Sequence, residues 1–332
     1  MLVDHVDKVS CASFNQTVPK EYVHKYALDE VFITSWAHVG DQMILGAVLP
    51  RAHSLYCEFP AEDRSPDIAL ITEVCRQSCF VVAHTKFEIP VQGNRFQFLL
   101  EELEVELVEV SSLPSKRPIE LLVECSIEEM KRRGSEVSSL VWVFTVWDRE
   151  GKVRVAKSRM KMVWIDRLDW HRMHTHMRNG RDLNTTIEAR SVLPSEVSPK
   201  DVGRQNRDNV ALQSVTSSEG EFQAIARVDT RHPVLFDHPI DHVYAMVQLE
   251  VSRQLAIYID AKMRNVSPEE LEVFAFKAKF TSVAELDLPL ALCEEKPDLL
   301  TGERDAMVHH ILFQQGGRTV SKCQLSTRMQ LR

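Results

Sequence analysis

The sequence predicts an α+β protein in which one fold is built twice, each copy an antiparallel sheet wrapped around a long central helix. Three observations carry the prediction. The phrase Glu73-Val74-Cys75-Arg76-Gln77 returns as Glu250-Val251-Ser252-Arg253-Gln254, 177 positions further along a chain of 332 residues. Each copy lies in an apolar stretch of helical length. Each stretch is followed by several short runs of strand-forming residues, the element order of an α+β fold. The length is comfortable for two domains, each with a core of its own.

In the first half a polar leader precedes an apolar stretch at 23–36, and Leu49-Pro50-Arg51-Ala52-His53 reads as a loop. Residues 66–84 are predicted helical. Pro66 suits a first turn, and the run from Ile68-Ala69-Leu70-Ile71 to Phe80-Val81-Val82-Ala83 is apolar almost all round, as in a fully buried helix. Four strands are expected next, at 96–100, 102–110, 119–127 and 139–147. Glu104, Glu106 and Glu109 largely alternate with Leu103, Val105, Leu107 and Val108, the period of a half-buried strand. Asp148-Arg149-Glu150-Gly151-Lys152 reads as a hairpin turn into a further strand at 153–163.

The second half repeats the plan. A helix is predicted over 244–263, a strand over 271–280, a hairpin at Gln314-Gln315-Gly316-Gly317 and a closing strand over 319–329. The polar stretch between the halves holds Gly180, Pro194 and Pro199 and reads as a linker with room for a short helix. The expected division is a first domain at 1–166, a linker at 167–205 and a second domain at 206–332. An antiparallel sheet curled around one buried helix is the hot-dog fold. Two copies in one chain form internally the pair that single-copy proteins make from two subunits, with further pairing into a homodimer left open.

Composition narrows the function classes. Apolar residues make up 44% and charged residues 27%, as in ordinary soluble domains, and the net charge of −8 lacks the basic footprint of a nucleic-acid binder. No apolar run has the length of a membrane span and no secretory signal opens the chain, so a cytoplasmic protein without membrane contact is expected. Seven cysteines at 11, 57, 75, 79, 125, 293 and 323 show no C-x-x-C pair and read as reduced thiols. Cys75 and Cys79, one helical turn apart, read as small packing residues. No glycine-rich phosphate loop and no G-x-S-x-G occurs, and no cofactor is expected.

The repeated phrase carries the chemistry. Positions i, i+3 and i+4 share a helix face, so Glu73, Arg76 and Gln77 form one polar stripe, and Glu250, Arg253 and Gln254 another. A buried charge must be paired or face a wet site. One reading is a structural ion pair made twice; the other is a carboxylate acting as general base beside a guanidinium that receives an anion. Burial would favour a raised pKa for such a base.

Ahead of the second helix stands His232-Pro233-Val234-Leu235-Phe236-Asp237-His238-Pro239-Ile240-Asp241-His242-Val243. Its histidines and aspartates adjoin the Glu250 face, and the helix start offers unpaired backbone N–H groups for a carbonyl oxygen or phosphate. No zinc-ligand spacing is present, so no metal is expected. His171, His174 and His176 read as surface residues of the linker, the pair His24-Lys25 as an exposed pair before a strand, and Arg51 and His53 as loop residues flanking the first helix.

The run 232–243 followed by Glu250-Val251-Ser252-Arg253-Gln254 strongly resembles the A-factor synthase (AfsA-type) family, tandem hot-dog proteins of γ-butyrolactone and butenolide signal biosynthesis. The first half fits as well, in Val23-His24-Lys25 with Glu30-Val31, in Leu49-Pro50-Arg51-Ala52-His53 and in Glu73 with Arg76-Gln77. The resemblance covers residues 20–330. It implies transfer of a β-ketoacyl group from an acyl carrier protein (ACP) or CoA thioester to dihydroxyacetone phosphate, the first step toward such a signal. The implied catalytic set is Glu250, Arg253, Glu73 and Arg76, with Glu250 as base toward the attacking hydroxyl. The implied substrate-binding set is His232, Asp237, His238, Asp241, His242, Tyr244, Ala245, Gln254, Gln77, Arg51 and His53. Two departures stand out. Tyr244-Ala245 replaces the family's Pro-Gly pair, and Arg64-Ser65-Pro66-Asp67 replaces a His-Asp-Pro-like phrase.

Two alternatives accompany this expectation. One is a hot-dog β-hydroxyacyl-thioester dehydratase or a thioesterase; such a dehydratase pairs a histidine with the helix acid, but the position fourteen before Glu250 is Phe236, and His238 lies only twelve before. A non-catalytic protein that holds an acyl ligand is the other.

Overall fold

The structure, a computed structural model, describes residues 8–59, 66–91, 95–110, 113, 118–178, 194–294, 298–299 and 306–330. The chain forms two compact units. The first comprises Met1–Arg51 and Ser65–Leu183, the second Ala52–Arg64 and Asn184–Arg332. This division differs from the one expected at 166 and 205. The 54–58 stretch goes with the second unit because it is bonded there, through Ser54 O, Leu55 O and Glu58.

In the first unit, the strands are β1 Ile33–Val39, β2 Gln42–Leu49, β3 Phe96–Leu107, β4 Ile119–Arg133, β5 Glu136–Asp148 and β6 Arg154–Asp166. They lie in the order β1-β2-β4-β5-β6-β3, every neighbouring pair antiparallel. Helix α1, Ile68–Lys86, packs on β1, β2, β3 and β6, and every residue from Ile68 to His84 is buried. That burial is why its sequence is apolar all round rather than along one stripe. The two strands expected at 96–100 and 102–110 are one strand. Leu100 pairs with Met162 and Glu102 with Lys161, so Glu101 is the extra residue of a β-bulge. Beyond it Leu103, Val105 and Leu107 face the core.

The second unit repeats the topology. Its strands are β7 Leu212–Ser218, β8 Glu221–Ala226, β9 Leu271–Phe280, β10 Ala291–Glu294, β11 Asp298–Leu299, β12 Met307–Gln315 and β13 Arg318–Met329. They run β7-β8-β10-β12-β13-β9, again antiparallel, with β11 beside β12. The β12–β13 turn places Gly316 and Gly317 at φ values of 58° and 76°, which a two-residue hairpin loop requires. Helix α3, Ala245–Arg264, packs on β7, β8, β9, β12 and β13. The hairpins β1–β2 and β7–β8 ahead of each long helix were not expected as such.

The expected linker is structured where it is described. Helix α2, Arg167–Met177, fills its start, and Asp166 caps it by accepting from the Leu168 N–H. His174 is fully buried against Trp170, at 4.8 Å between rings, and is not the surface residue expected. Gly180 and the rest of 179–193 lie outside the described residues, as do Arg64 and Ser65. Among the described residues no helix is long and apolar enough to cross a membrane.

The helix starts differ in a way that matters below. Asp67 caps α1, its carboxylate accepting from the Ala69 N–H at 2.8 Å. Tyr244, at the same place on α3, makes no side-chain capping bond.

Candidate active site

Each unit carries an acid–base cluster in the middle of its long helix. In the second, Glu250 is 2% exposed. Arg253, one turn on, donates Nε to Oε2 and Nη2 to Oε1, both at 2.9 Å. A second guanidinium comes from outside the helix: Arg204 donates Nε to Oε1 at 3.0 Å, and its Nη2 lies 2.7 Å from Oε2. Gln254 Nε2 also donates to Oε1. Burial pushes the Glu250 carboxyl up, but Arg204 and Arg253 together outweigh it and hold it down to about 2. The raised pKa expected for a base is therefore reversed. Burial alone would raise it, and here burial comes with two cations.

The first unit makes the same cluster with different chemistry. Arg76 donates Nε and Nη2 to the two oxygens of Glu73, each at 2.7 Å. The second cation is Lys25, whose Nζ lies 3.4 Å from both Glu73 Oε1 and Glu30 Oε2. Burial again opposes ionisation, and Arg76 and Lys25 hold Glu73 down to about 2. Lys25 is 6% exposed, so the exposed pair expected at 24–25 is corrected: its charge is spent inside.

The two clusters correspond residue by residue. Lys25, Glu30 and Phe32 match Arg204, Asn209 and Ala211, each 179 positions on. The short 3-10 turn Lys20–Val23 ends on His24 at φ 55°, and Pro199–Val202 ends on Gly203 at φ 64°. Glycine adopts this left-handed conformation without steric cost; His24 does so at some cost. His24 is held there by stacking on Phe80 at 4.3 Å and by a 2.8 Å contact to His84.

Gln77 and Gln254 act as staples. Gln254 Nε2 donates to Asn209 O at 2.7 Å and its Oε1 accepts from the Ala211 N–H at 2.8 Å. Gln77 does the same with Glu30 O and the Phe32 N–H. Each amide fixes the strand-entry backbone to its helix.

The histidine-rich loop has a bracing histidine and two His–Asp pairs. His232 Nδ1 accepts from the Val234 and Leu235 N–H groups, at 3.2 and 3.0 Å, and its Nε2 meets Asn209 Oδ1 at 2.8 Å. Burial holds its pKa down to about 4, with Glu250 and Asp229 pulling the other way. It is a neutral brace. His53 makes the same turn, Nδ1 accepting from Leu55 and Tyr56. Beyond the brace come two His–Asp pairs: His238 Nδ1 lies 3.3 Å from Asp237 Oδ2, and His242 Nδ1 lies 2.7 Å from Asp241 Oδ1. Tyr244 meets Phe236 edge-on at 5.8 Å, and Ala245, half-buried, opens α3. Arg51 is exposed, and among the described residues its side chain has no hydrogen bond or ion pair.

Arg204 and Glu58 had not been singled out. Arg204 Nη1 donates to Leu55 O and to Glu58 Oε2, and Asn209 Nδ2 donates to Ser54 O. These bonds bind the 54–58 segment into the second unit. The signal for Arg204 was the second offset, 179 rather than 177, which aligns Val23-His24-Lys25 with Val202-Gly203-Arg204. The four buried thiols supply no nucleophile here. Burial pushes Cys75 and Cys323 up to about 12 and Cys79 and Cys125 well above their ordinary value.

Each cluster sets an ionised carboxylate between two cations, and the helix start of the second unit carries no side-chain cap at Tyr244. The sequence has relatives among known proteins. The family profile of the A-factor biosynthesis hotdog domain matches twice, over residues 6–163 and 185–330. A 2-oxo-3-(phosphooxy)propyl 3-oxoalkanoate synthase of Streptomyces virginiae is 30% identical over 314 residues, covering 94% of this chain and 98% of that one. A synthase of the same name from Streptomyces griseus is 30% identical over 263 residues, covering 78% of each chain.

Proposed function

The chain belongs to the A-factor biosynthesis hot-dog family, and on that premise we propose that it moves a β-ketoacyl group from an ACP or CoA thioester to a hydroxyl of dihydroxyacetone phosphate. The observation that carries the reading is the Glu250 carboxylate held between Arg204 and Arg253. The relatives' printed product carries a phosphooxy group and a 3-oxoalkanoate ester, and a guanidinium held in place by a carboxylate suits the grip on such an anion.

The proposed roles follow the electrostatics. Arg253, with 11% of its side chain exposed against 3% for Arg204, is the guanidinium that meets the acceptor phosphate. Glu250 keeps its charge throughout and fixes the fork of Arg253. It is not the base. Its oxygens already accept from Arg204, Arg253 and Gln254, and a carboxylate with a pKa of about 2 is a weak proton acceptor. The proton of the attacking hydroxyl passes instead to His242. Asp241 takes its Nδ1–H, which leaves Nε2 as the acceptor of the neutral ring. The hydroxyl oxygen bonds to the thioester carbonyl carbon, the C–S bond breaks, and the thiolate leaves with the proton from His242. Backbone N–H groups in the first turn of α3, which no side chain caps at Tyr244, stabilise the oxyanion of the tetrahedral intermediate. In the first unit Asp67 occupies the equivalent donors, so that cluster has a structural role in this reading.

The test is product analysis by mass spectrometry. Purified protein is incubated with a β-ketoacyl thioester, with and without dihydroxyacetone phosphate. Ester formation and thioester loss that both require the phosphate acceptor are expected. Release of the free acid without acceptor would indicate a thioesterase instead, and water loss from a β-hydroxyacyl thioester a dehydratase.

A further inference from the structure

We infer that Arg204 is a positioning residue for the reaction, a clasp between the Glu250–Arg253 pair on α3 and the 53–58 segment. The inference rests on the function proposed above and adds a residue to it. Arg204 contacts three partners at once. Its Nε and Nη2 face Glu250, and its Nη1 bonds Leu55 O and Glu58 Oε2. The far side of the clasp is itself tied down. Glu58 Oε1 accepts from the Asn206 N–H at 2.8 Å, and Ser54 O accepts from Asn209, whose Oδ1 meets His232. Gly203, at φ 64°, turns the chain immediately before Arg204 and points its backbone into this position.

The internal repeat shows why the residue type matters. At the matching place the first unit has Lys25, a compact charge that sits 3.4 Å from each of two carboxylates. An ammonium neutralises; a planar guanidinium also fixes direction, because its donors are set at fixed angles. Arg204 therefore does two separable things. Its charge, added to that of Arg253, keeps Glu250 ionised against burial. Its fork holds the carboxylate in one orientation and joins it to the loop. With only Arg253 opposing burial, the carboxylate would accept a proton at higher pH and Arg253 would lose its fixed partner.

Three substitutions separate the two contributions. Arg204→Lys keeps charge and loses the fork. It should lower kcat/KM about tenfold or more, through a higher KM for dihydroxyacetone phosphate at an unchanged KM for the thioester. Arg204→Met loses both. It should lower kcat/KM for dihydroxyacetone phosphate on the order of a hundredfold, again with the thioester KM unchanged. Glu58→Gln loosens the far end alone and should lower kcat/KM a few-fold. A folded Arg204→Met protein with wild-type kcat/KM and a wild-type KM for dihydroxyacetone phosphate would overturn the inference. If Arg204→Met does not fold, the lysine and Glu58→Gln variants decide it, wild-type kinetics in both being the contrary result. Should the wild-type protein transfer no acyl group, the function reading falls on its own. Urea unfolding of Arg204→Lys, Glu250→Gln and the double variant then still reads the clasp. Coupled losses are expected, and additive ones would contradict it.

Discussion

At the residue scale the central fact is that a buried glutamate has been given two cations. In water a lone carboxylate needs none; in the interior one partner satisfies it and two make it a fixed anion. This reverses the simplest expectation from an acid on an apolar helix. The stripe itself was legible, because Glu, Arg and Gln at i, i+3 and i+4 must share a face. Its electrostatics were not, because Arg204 reaches Glu250 from 46 residues away. His232 supplies a test of how buried this neighbourhood is. Its folded pKa, about 4, lies below the ordinary value of 6.5, so the folded state favours the neutral ring and the unfolded chain takes up the proton first. Its contribution to stability is complete above pH 6.5 and is lost as pH falls toward 4. Glu73 and Glu250, lowered from 4.5 to about 2, lose theirs only below 4.5. Between pH 6.5 and 4.5 the wild type should lose about 2 kcal/mol through His232. Urea unfolding of His232→Gln across that window should show this part of the slope missing. An identical slope would mean that the ring is accessible.

At the element scale the long helices do more than fill the sheets. Each is stapled by a glutamine to the backbone that leads into the first hairpin, and each places its charged stripe at the same depth. Long apolar helices and glycine-marked hairpins could be read from the sequence. The β-bulge at Glu101 and the early hairpins could not, since a bulge shifts the alternation by one residue and β2 is buried on both faces. The helix starts separate the two units. Asp67→Ala should cost about 1 kcal/mol, the ordinary loss of an N-cap, and leave the rate of acyl transfer unchanged. Gln254→Leu should cost about 2–3 kcal/mol, because it orphans the buried Ala211 N–H and Asn209 C=O together. Denaturant midpoints beside transfer rates check both. A transfer rate that collapses in Asp67→Ala would move the chemistry toward the first unit.

At the scale of the whole molecule, the two units are one topology with unequal interiors. The duplication was legible in ten residues and the hot-dog plan in the order of elements. The inequality was hidden in positions that look ordinary alone: lysine against arginine, histidine against glycine, a capped helix against an uncapped one. The second unit also buries a polar chain that no local pattern announced. Glu294 meets His309 at 2.8 Å, His309 meets Thr327 at 3.2 Å, and Thr327 donates to Asp260, which Arg264 pairs. Its members come from three strands and a helix, so only the fold assembles them. The same holds for the Arg204 clasp, which is why the family resemblance pointed to the helices and not to their full set of partners.

In the proposed reaction the second unit grips a phosphorylated acceptor through Arg253. The most direct measurement is steady-state ester formation by Arg253→Ala with dihydroxyacetone phosphate titrated at saturating thioester. Loss of one charge-assisted contact predicts a rise of about 10–100-fold in KM for the phosphate acceptor, with KM for the thioester unchanged. A folded variant whose acceptor KM equals that of the wild type would contradict the account.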